Sequence, residues 1–181
     1  MFVTLARRTQ QIILCSALIT GGLIGGAEAV RAQAVASETS SLQAAQDSDS
    51  QLNDLLTQAS ELVDLQQFAQ ALELYQQASV LEPDNARIFS GMGYLLAKQS
   101  DYLAAADAYQ RALALEPDDA NFLYALGHSL GQVGDDAGAA EAYRRVLTLD
   151  ADHLNAWQGL GVVAMRLNDF DTAMAAFRKI A

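Results

Sequence analysis

Apolar residues recur at helical spacing from Leu52 onward, and short polar breaks interrupt them at regular intervals. The pattern predicts four pairs of helices, and corresponding helices in successive pairs begin 34 residues apart. A fixed period of this length is typical of a repeat array in which each unit is one helix pair. The predicted first helices span 52–65, 86–99, 120–133 and 154–167, and the second helices span 68–81, 102–115, 136–149 and 170–181.

Small and aromatic residues occupy fixed positions within these helices. A small residue in the first helix lets the second approach closely, and we expect the aromatic residue of the second helix to fill the space between neighbouring units. Because one helix pair cannot bury its apolar face alone, stability requires stacking of units. The three series are Tyr75, Tyr109, Tyr143 and Phe177; Ala71, Ala105, Ala139 and Ala173; and Ala59, Gly93, Gly127 and Gly161.

The polar breaks carry residues that start and stop helices. Pro83 and Pro117 follow two of the second helices, where proline ends a helix. Aspartates open the next helices, because a carboxylate accepts hydrogen bonds from the free N–H groups there and favours the positive helix end. The expected capping segments are Ser100-Asp101, Gly134-Asp135 and Asn168-Asp169.

These positions resemble the tetratricopeptide repeat family, whose pattern is W-x2-L-G-x2-Y, then A-x3-F, then P. The fourth unit reads Trp157, Leu160 and Gly161, then Ala173 and Phe177. The family tyrosine of the first helix is replaced by leucine in three units and by alanine in the fourth. The resemblance implies an all-α, right-handed superhelical solenoid of antiparallel helix pairs. Its four units would be 52–85, 86–119, 120–153 and 154–181, the last one incomplete.

The resemblance also implies that the concave face, lined by the first helices, binds a peptide segment of a partner protein. By the same resemblance the second, fifth, ninth and twelfth residues of each first helix face this groove, and the packing series leave these positions free. Tyr94, Tyr124 and His128 would form an aromatic patch with polar tips, and Asn121 and Asn155 would read a peptide backbone. The alternative is that these side chains only solvate an exposed face. The candidate groove residues are Arg87, Ser90, Tyr94, Asn121, Tyr124, His128, Asn155 and Gln158.

One family subtype clamps a terminal carboxylate with lysines and asparagines on successive first helices. Among the candidate groove positions Arg87 is the one fixed cation. The sequence therefore argues against that subtype.

The first 34 residues have the organisation of a secretory signal peptide. Arg7 and Arg8 are followed by an uncharged stretch over residues 12–26 and by two small-x-small sites. We expect cleavage after Ala34, an exported protein in the periplasm or an equivalent extracytoplasmic space, and a flexible polar linker over residues 35–51. The alternative is an uncleaved membrane anchor, and contact with a membrane is expected only in that case.

The net charge and the reactive side chains of the sequence narrow the classes of function that we expect. The formal net charge is −11, so nucleic acid is not an expected partner. Cys15, the single cysteine, lies in the predicted signal segment. His128 and His153 lack the convergent ligands of a metal site, and no catalytic arrangement of residues is apparent. We therefore expect no enzymatic activity, no cofactor and no metal.

The sequence favours a scaffold that holds peptide segments of another protein during assembly or localisation of a complex. Two alternatives stay open. Phe170, Met174, Phe177 and Ile180 lie in an incomplete unit, so residues 170–181 are expected to pair with a second copy or with further chain. With an uncleaved N-terminal segment, the chain would instead be an assembly factor for a membrane complex.

Overall fold

The computed structural model describes residues 27–181, with side chains described at positions 33, 35–40, 43 and 46–181. Residues 1–26, which hold most of the predicted signal peptide, lie outside the described part. The repeats fall within the compact unit Asp47–Ala181. The helices of the described chain are α1 (Ala27–Asp64), α2 (Phe68–Leu81), α3 (Ala86–Lys98), α4 (Tyr102–Leu115), α5 (Ala120–Val133), α6 (Asp136–Leu149), α7 (Leu154–Arg166) and α8 (Phe170–Ile180).

The all-α expectation is confirmed, and from α2 onward each helix begins at the predicted residue. The ends of α3, α7 and α8 come one residue early, which is within the fraying of helix ends. The 34-residue period therefore predicts where the helices begin as well as the fold class.

One expectation needs correction at the start of the array. The sequence predicts a flexible linker over residues 35–51, but α1 runs without a break from Ala27 to Asp64. Residues 35–51 contain neither glycine nor proline, so no residue in this range interrupts the helix. Thr39 is accommodated because its hydroxyl donates to the carbonyls of Val35 and Ala36, each at 3.0 Å. Signal cleavage and the proposed domain boundaries stay predictions.

Consecutive helices from α2 to α8 pack against one another, and the first helices also touch across units. Helix α3 contacts α5, and α5 contacts α7. Among the helices that the structure describes, no such contact joins α4 to α6 or α6 to α8. The first helices therefore lie on the inner side of the curve, as expected for a concave face made by first helices.

Aromatic rings of the second helices fill the space between units. A Cβ added at Gly93 would lie 2.9 Å from Cζ of Tyr109, so this ring occupies the room that glycine leaves. Tyr143 does the same at two positions, Gly127 in its own unit and Gly159 in the next. These contacts confirm the packing role expected of the small and aromatic series.

Each first helix ends in a left-handed residue, and these residues are also 34 apart: Gln66, Ser100, Gly134 and Asn168. The next residue then donates its N–H five residues back, as Asp101 does to the carbonyl of Leu96 at 3.0 Å. Only the third of these positions is glycine, with φ at +94°. The same turn therefore recurs with four different side chains.

The predicted aspartate caps are present. Asp101, Asp135 and Asp169 each accept from the N–H three residues on, at 2.9–3.2 Å. Asp119 accepts two N–H groups at the start of α5. Helix α2 differs, because Gln67 gives it no side-chain cap.

Candidate peptide-binding groove

Two cavities adjoin each other on the side of the first helices. The one we call the upper cavity has a volume of about 490 Å³, and the lower cavity about 320 Å³. Tyr124 and His128 line both. The upper cavity is further lined by Tyr94, Ala97, Lys98, Ser100, Tyr102, Tyr109, Ala125 and Ser129. The lower cavity is further lined by Gly131, Gln132, Tyr143, Asn155, Gln158, Gly159, Val162, Val163 and Arg166.

Helical spacing brings these side chains to one face. Tyr94 and Lys98 are four residues apart on α3, as Tyr124 and His128 are on α5, and residues at that spacing project from the same side. The ammonium of Lys98 lies 5.2 Å from the centroid of the Tyr94 ring. The groove is thus built from successive first helices, with second-helix side chains between them.

Tyr124 is held between two other rings. Its centroid lies 5.9 Å from that of Tyr143 and 5.2 Å from that of His153, the latter at an interplanar angle of 31°. Across the upper cavity, Tyr102 meets His128 edge to face with centroids 6.0 Å apart. Such contacts favour defined ring orientations, so these groove walls are ordered by packing.

His153 also caps α7. Its Nδ1 accepts a hydrogen bond from the N–H of Ala156 at 3.1 Å. Asn85 and Asp119 hold the equivalent capping position in the two preceding units. Nδ1 accepts only when it carries no proton, so this geometry requires the neutral ring in the tautomer protonated at Nε2.

Tyr109 and Tyr143 place buried rings under the groove. Burial raises the pKa of each phenol to about 12, with a smaller contribution from Tyr94 to Tyr109 and from Tyr124 to Tyr143. Both hydroxyls therefore stay protonated at neutral pH. Within residues 47–181 neither hydroxyl has a hydrogen-bond partner in the protein, although each residue lines a cavity.

Arg166 ties the third and fourth units together. Its Nη1 donates to the carbonyl of Gly131 at 3.1 Å, and its Nη2 lies 2.9 Å from Oδ1 of Asp136. Asp136 is mostly buried, and among the described residues its Oδ1 has no partner with hydrogen-bond geometry. The arginine is therefore the one charge that compensates this carboxylate, and it stiffens the lower cavity.

The structure brings five of the eight predicted groove residues together. Tyr124, His128, Asn155 and Gln158 share the lower cavity, and Tyr94 joins Tyr124 and His128 in the upper one. Their role in binding a peptide stays a prediction.

The other three predicted residues lie elsewhere. Arg87 lines a separate cavity of about 590 Å³ at the turn between α2 and α3, together with Asp84 and Glu116. The hydroxyl of Ser90 donates to the carbonyl of Arg87 at 3.0 Å. Asn121 is exposed near the start of α5 and lines neither groove cavity.

Sequence reasoning missed eight polar residues of the groove walls: Lys98, Ser100, Tyr102, Tyr109, Ser129, Gln132, Tyr143 and Arg166. Lys98 and Arg166 stand at the thirteenth position of α3 and α7, one turn past the ninth. Extending the four-residue spacing by one step would have found both. Tyr109 and Tyr143 were assigned to packing alone, although their side chains also line the groove.

No group of three or more histidine, cysteine, aspartate or glutamate side chains placed to hold a metal occurs in the described residues. In residues 27–181 no helix combines the length and apolarity needed to cross a membrane.

Comparison with known proteins agrees with the repeat architecture. A family model described as tetratricopeptide repeat matches residues 56–123 and 124–181. The chain belongs to the tetratricopeptide repeat family. The first matched range begins within α1, close to the predicted start of the first unit.

Among curated proteins, a TPR repeat-containing protein of Picosynechococcus sp. (strain ATCC 27264 / PCC 7002 / PR-6) is 48% identical over 48 residues. That match spans 26% of this chain and 12% of the length of the relative. A crystal structure of MamA aligns with a TM-score of 0.68 and 26% identity, covering 71% of this chain and 75% of that one. The first TPR of Spaghetti (RPAP3), solved with an HSP90 peptide, shares the fold at 16% identity and a TM-score of 0.63, over 66% of this chain and 94% of that one.

Proposed function

We propose that this protein is an exported scaffold that binds an extended segment of a partner protein along the inner face of its repeats. A tetratricopeptide repeat array presents an extended concave surface of the kind used in protein–protein interaction. The observation that carries the proposal is the pair of adjoining cavities, whose walls hold hydroxyl, imidazole, amide and ammonium groups. The bound state of the RPAP3 domain is consistent with this use of the fold.

The binding step follows from the groove walls. The faces of Tyr94 and Tyr124 offer apolar area at low entropic cost, and Asn155 and Gln158 can donate to and accept from a peptide backbone. Specificity then depends on which groups of the bound segment form hydrogen bonds with the hydroxyls of Tyr109 and Tyr143. We infer a role in assembly or localisation of a complex, because the described chain offers a binding surface and no catalytic arrangement.

The test is partner capture by the full chain and by a variant with alanine at Tyr94, Tyr124, Asn155 and Gln158. We expect the variant to fold, because these side chains are only partly buried or exposed, and to lose the captured partner. A matched control replaces Gln76, Gln77 and Gln110, exposed residues of the second helices. If the groove variant captures the same proteins as the unchanged chain, the assignment of the groove is wrong.

Export is proposed from the sequence alone, from Arg7, Arg8, the uncharged residues 12–26 and the two small-x-small sites. Mass spectrometry of the native N-terminus tests it. A chain that begins after Ala34 or nearby supports export with cleavage. A chain that begins at Met1 argues for the alternative, a membrane-anchored assembly factor.

Self-association is a second candidate, favoured by the exposed apolar stripe on α8. Phe170, Met174, Phe177 and Ile180 are 37–54% exposed, and their spacing keeps them on adjoining faces of the helix. Sedimentation of the full chain with and without Phe170→Asp and Met174→Asp tests this proposal. A monomer at all concentrations, unchanged by the substitutions, would remove it.

A further inference from the structure

The acidic residues are absent from the first helices of units two to four. The chain has 22 aspartates and glutamates, yet α3, α5 and α7 contain none. The same three helices hold Arg87, Lys98 and Arg166, together with His128. Acidic residues instead occupy α1, the turns and the second helices. Across units two to four, a protein of net charge −11 therefore has inner helices whose fixed charges are positive.

The two groove cavities show the same absence of acidic residues. No carboxylate lines the upper or the lower cavity. The charge of Arg166 in the lower cavity is compensated by Asp136. Lys98 in the upper cavity has no carboxylate within 4.0 Å among the described residues, and its ammonium lies beside the Tyr94 ring. The upper cavity thus contains the one cation of the two cavities that is left without a counter-charge.

The phenols beside Lys98 are able to donate hydrogen bonds. Tyr102 and Tyr109 line the same cavity, and neither hydroxyl is bonded within residues 47–181. Tyr109 stays protonated well above neutral pH because burial raises its pKa to about 12. An ammonium and protonated phenols in a partly desolvated site match an acceptor that carries negative charge.

We propose that the upper cavity binds aspartate or glutamate side chains of an acidic segment in the partner protein. The inference rests on the proposed function, since it names the kind of segment that the groove takes. The carboxylate would accept from Lys98 and from a phenol hydroxyl, while the rest of the segment lies against Tyr94 and Tyr124. The donors are side chains of the groove wall, so a terminal carboxylate is not required.

The test uses the full chain and a random peptide library displayed on phage, with each peptide fused at its C-terminus so that only side chains supply carboxylates. We expect selected peptides to be enriched in aspartate and glutamate. Replacing the acids of a selected peptide by asparagine and glutamine should weaken binding about tenfold, because hydrogen bonds to charged groups are the stronger ones. High salt should weaken binding of the acidic peptide more than binding of its amide counterpart.

Two substitutions locate the site. Lys98→Met keeps most of the apolar stem and removes the charge, and it should abolish the acidic bias. Lys179→Met makes the same change on α8, outside both cavities, and should leave the bias intact. Tyr109→Phe removes one hydroxyl and keeps the packed ring, so loss of affinity with unchanged thermal stability supports a direct contact.

The other outcomes are distinct. Selected peptides without acidic bias, or a bias that survives Lys98→Met, would overturn the inference and leave the proposed function standing. No selection above background, together with partner capture that ignores groove substitutions, would overturn both.

Discussion

The turns that end the first helices allow a sharp test of backbone strain. Gly134 adopts φ +94°, and a Cβ added there would meet nothing within 4 Å. Gly134→Ala therefore changes backbone strain without a steric clash. A left-handed conformation costs a residue with a Cβ about 1–2 kcal/mol, and the stiffer unfolded chain returns about 0.4–1 kcal/mol. We expect the free energy of unfolding to fall by about 1 kcal/mol.

The equivalent turns provide the reverse experiment. Gln66, Ser100 and Asn168 hold φ of 59–63° with a Cβ present, so replacing each by glycine should relieve strain. The expected gain is about 0.5–1 kcal/mol for Gln66 and Ser100, and less for Asn168, because asparagine tolerates the left-handed region better. For a domain of this size, that corresponds to a melting temperature higher by roughly 2–5 °C.

Urea denaturation followed by far-UV circular dichroism measures all four variants. The slope with denaturant must stay unchanged if the substitutions act only on the turn. A neutral Gly134→Ala, or glycine variants that all destabilise, would refute the strain argument. Such a result would mean that the backbone of the turn adjusts to the residue that occupies it.

Three further predictions concern packing, helix capping and pH. Gly159→Ala would put a Cβ 2.5 Å from Cζ of the Tyr143 ring, so overpacking of about 1–3 kcal/mol should exceed the roughly 1 kcal/mol gained in helix propensity. Gly131→Ala, where the nearest atom is a guanidinium nitrogen of Arg166 at 3.3 Å, should cost less than Gly159→Ala in the same denaturation experiment, because that side chain needs to move by only a few tenths of an ångström. His153→Ala should lower the free energy of unfolding by about 1 kcal/mol, because α7 then loses the side-chain acceptor that caps it. His153→Asn should keep most of that stability, since Asn85 caps the equivalent helix, while an unchanged free energy of unfolding in His153→Ala would contradict the role of the cap. Raising the pH from 10 toward 12 should also cost stability, since the folded state keeps phenol protons that the unfolded state releases, and Tyr143→Phe should reduce that slope in alkaline titration.

The sequence predicted the repeat units well because each unit constrains the next. Alanine, glycine and aromatic residues recur in one register, so helix starts from α2 onward and the ring-to-glycine contacts followed from spacing alone. The left-handed turns did not follow, because Gln66 and Ser100 carry no residue preference for that conformation. They are imposed by the packing of the helices they join.

The groove was only partly predictable. Positions such as Tyr94, Tyr124 and His128 were found because the family resemblance places them on the concave face and the packing series leave them free. Lys98 was missed because the search stopped at the twelfth position of the helix. The prediction of a flexible linker over residues 35–51 was wrong for another reason. The segment was taken as flexible because it is polar and unpatterned, although it contains no helix-breaking residue.

The buried tyrosines carry information that a packing argument discards. Phe177 shows that a ring without a hydroxyl fills this position in the fourth unit, where it packs on Gly161. Tyr109 and Tyr143 add hydroxyls that make no hydrogen bond within residues 47–181. Oδ1 of Asp136 is the one side-chain oxygen of the described residues that is fully enclosed without a partner, so both hydroxyls are open to water in the cavities, and removing them takes away no hydrogen bond within the protein. Tyr109→Phe and Tyr143→Phe should therefore leave stability at neutral pH unchanged or higher while weakening binding. That combination would show that the groove, and not the core, is the reason for tyrosine.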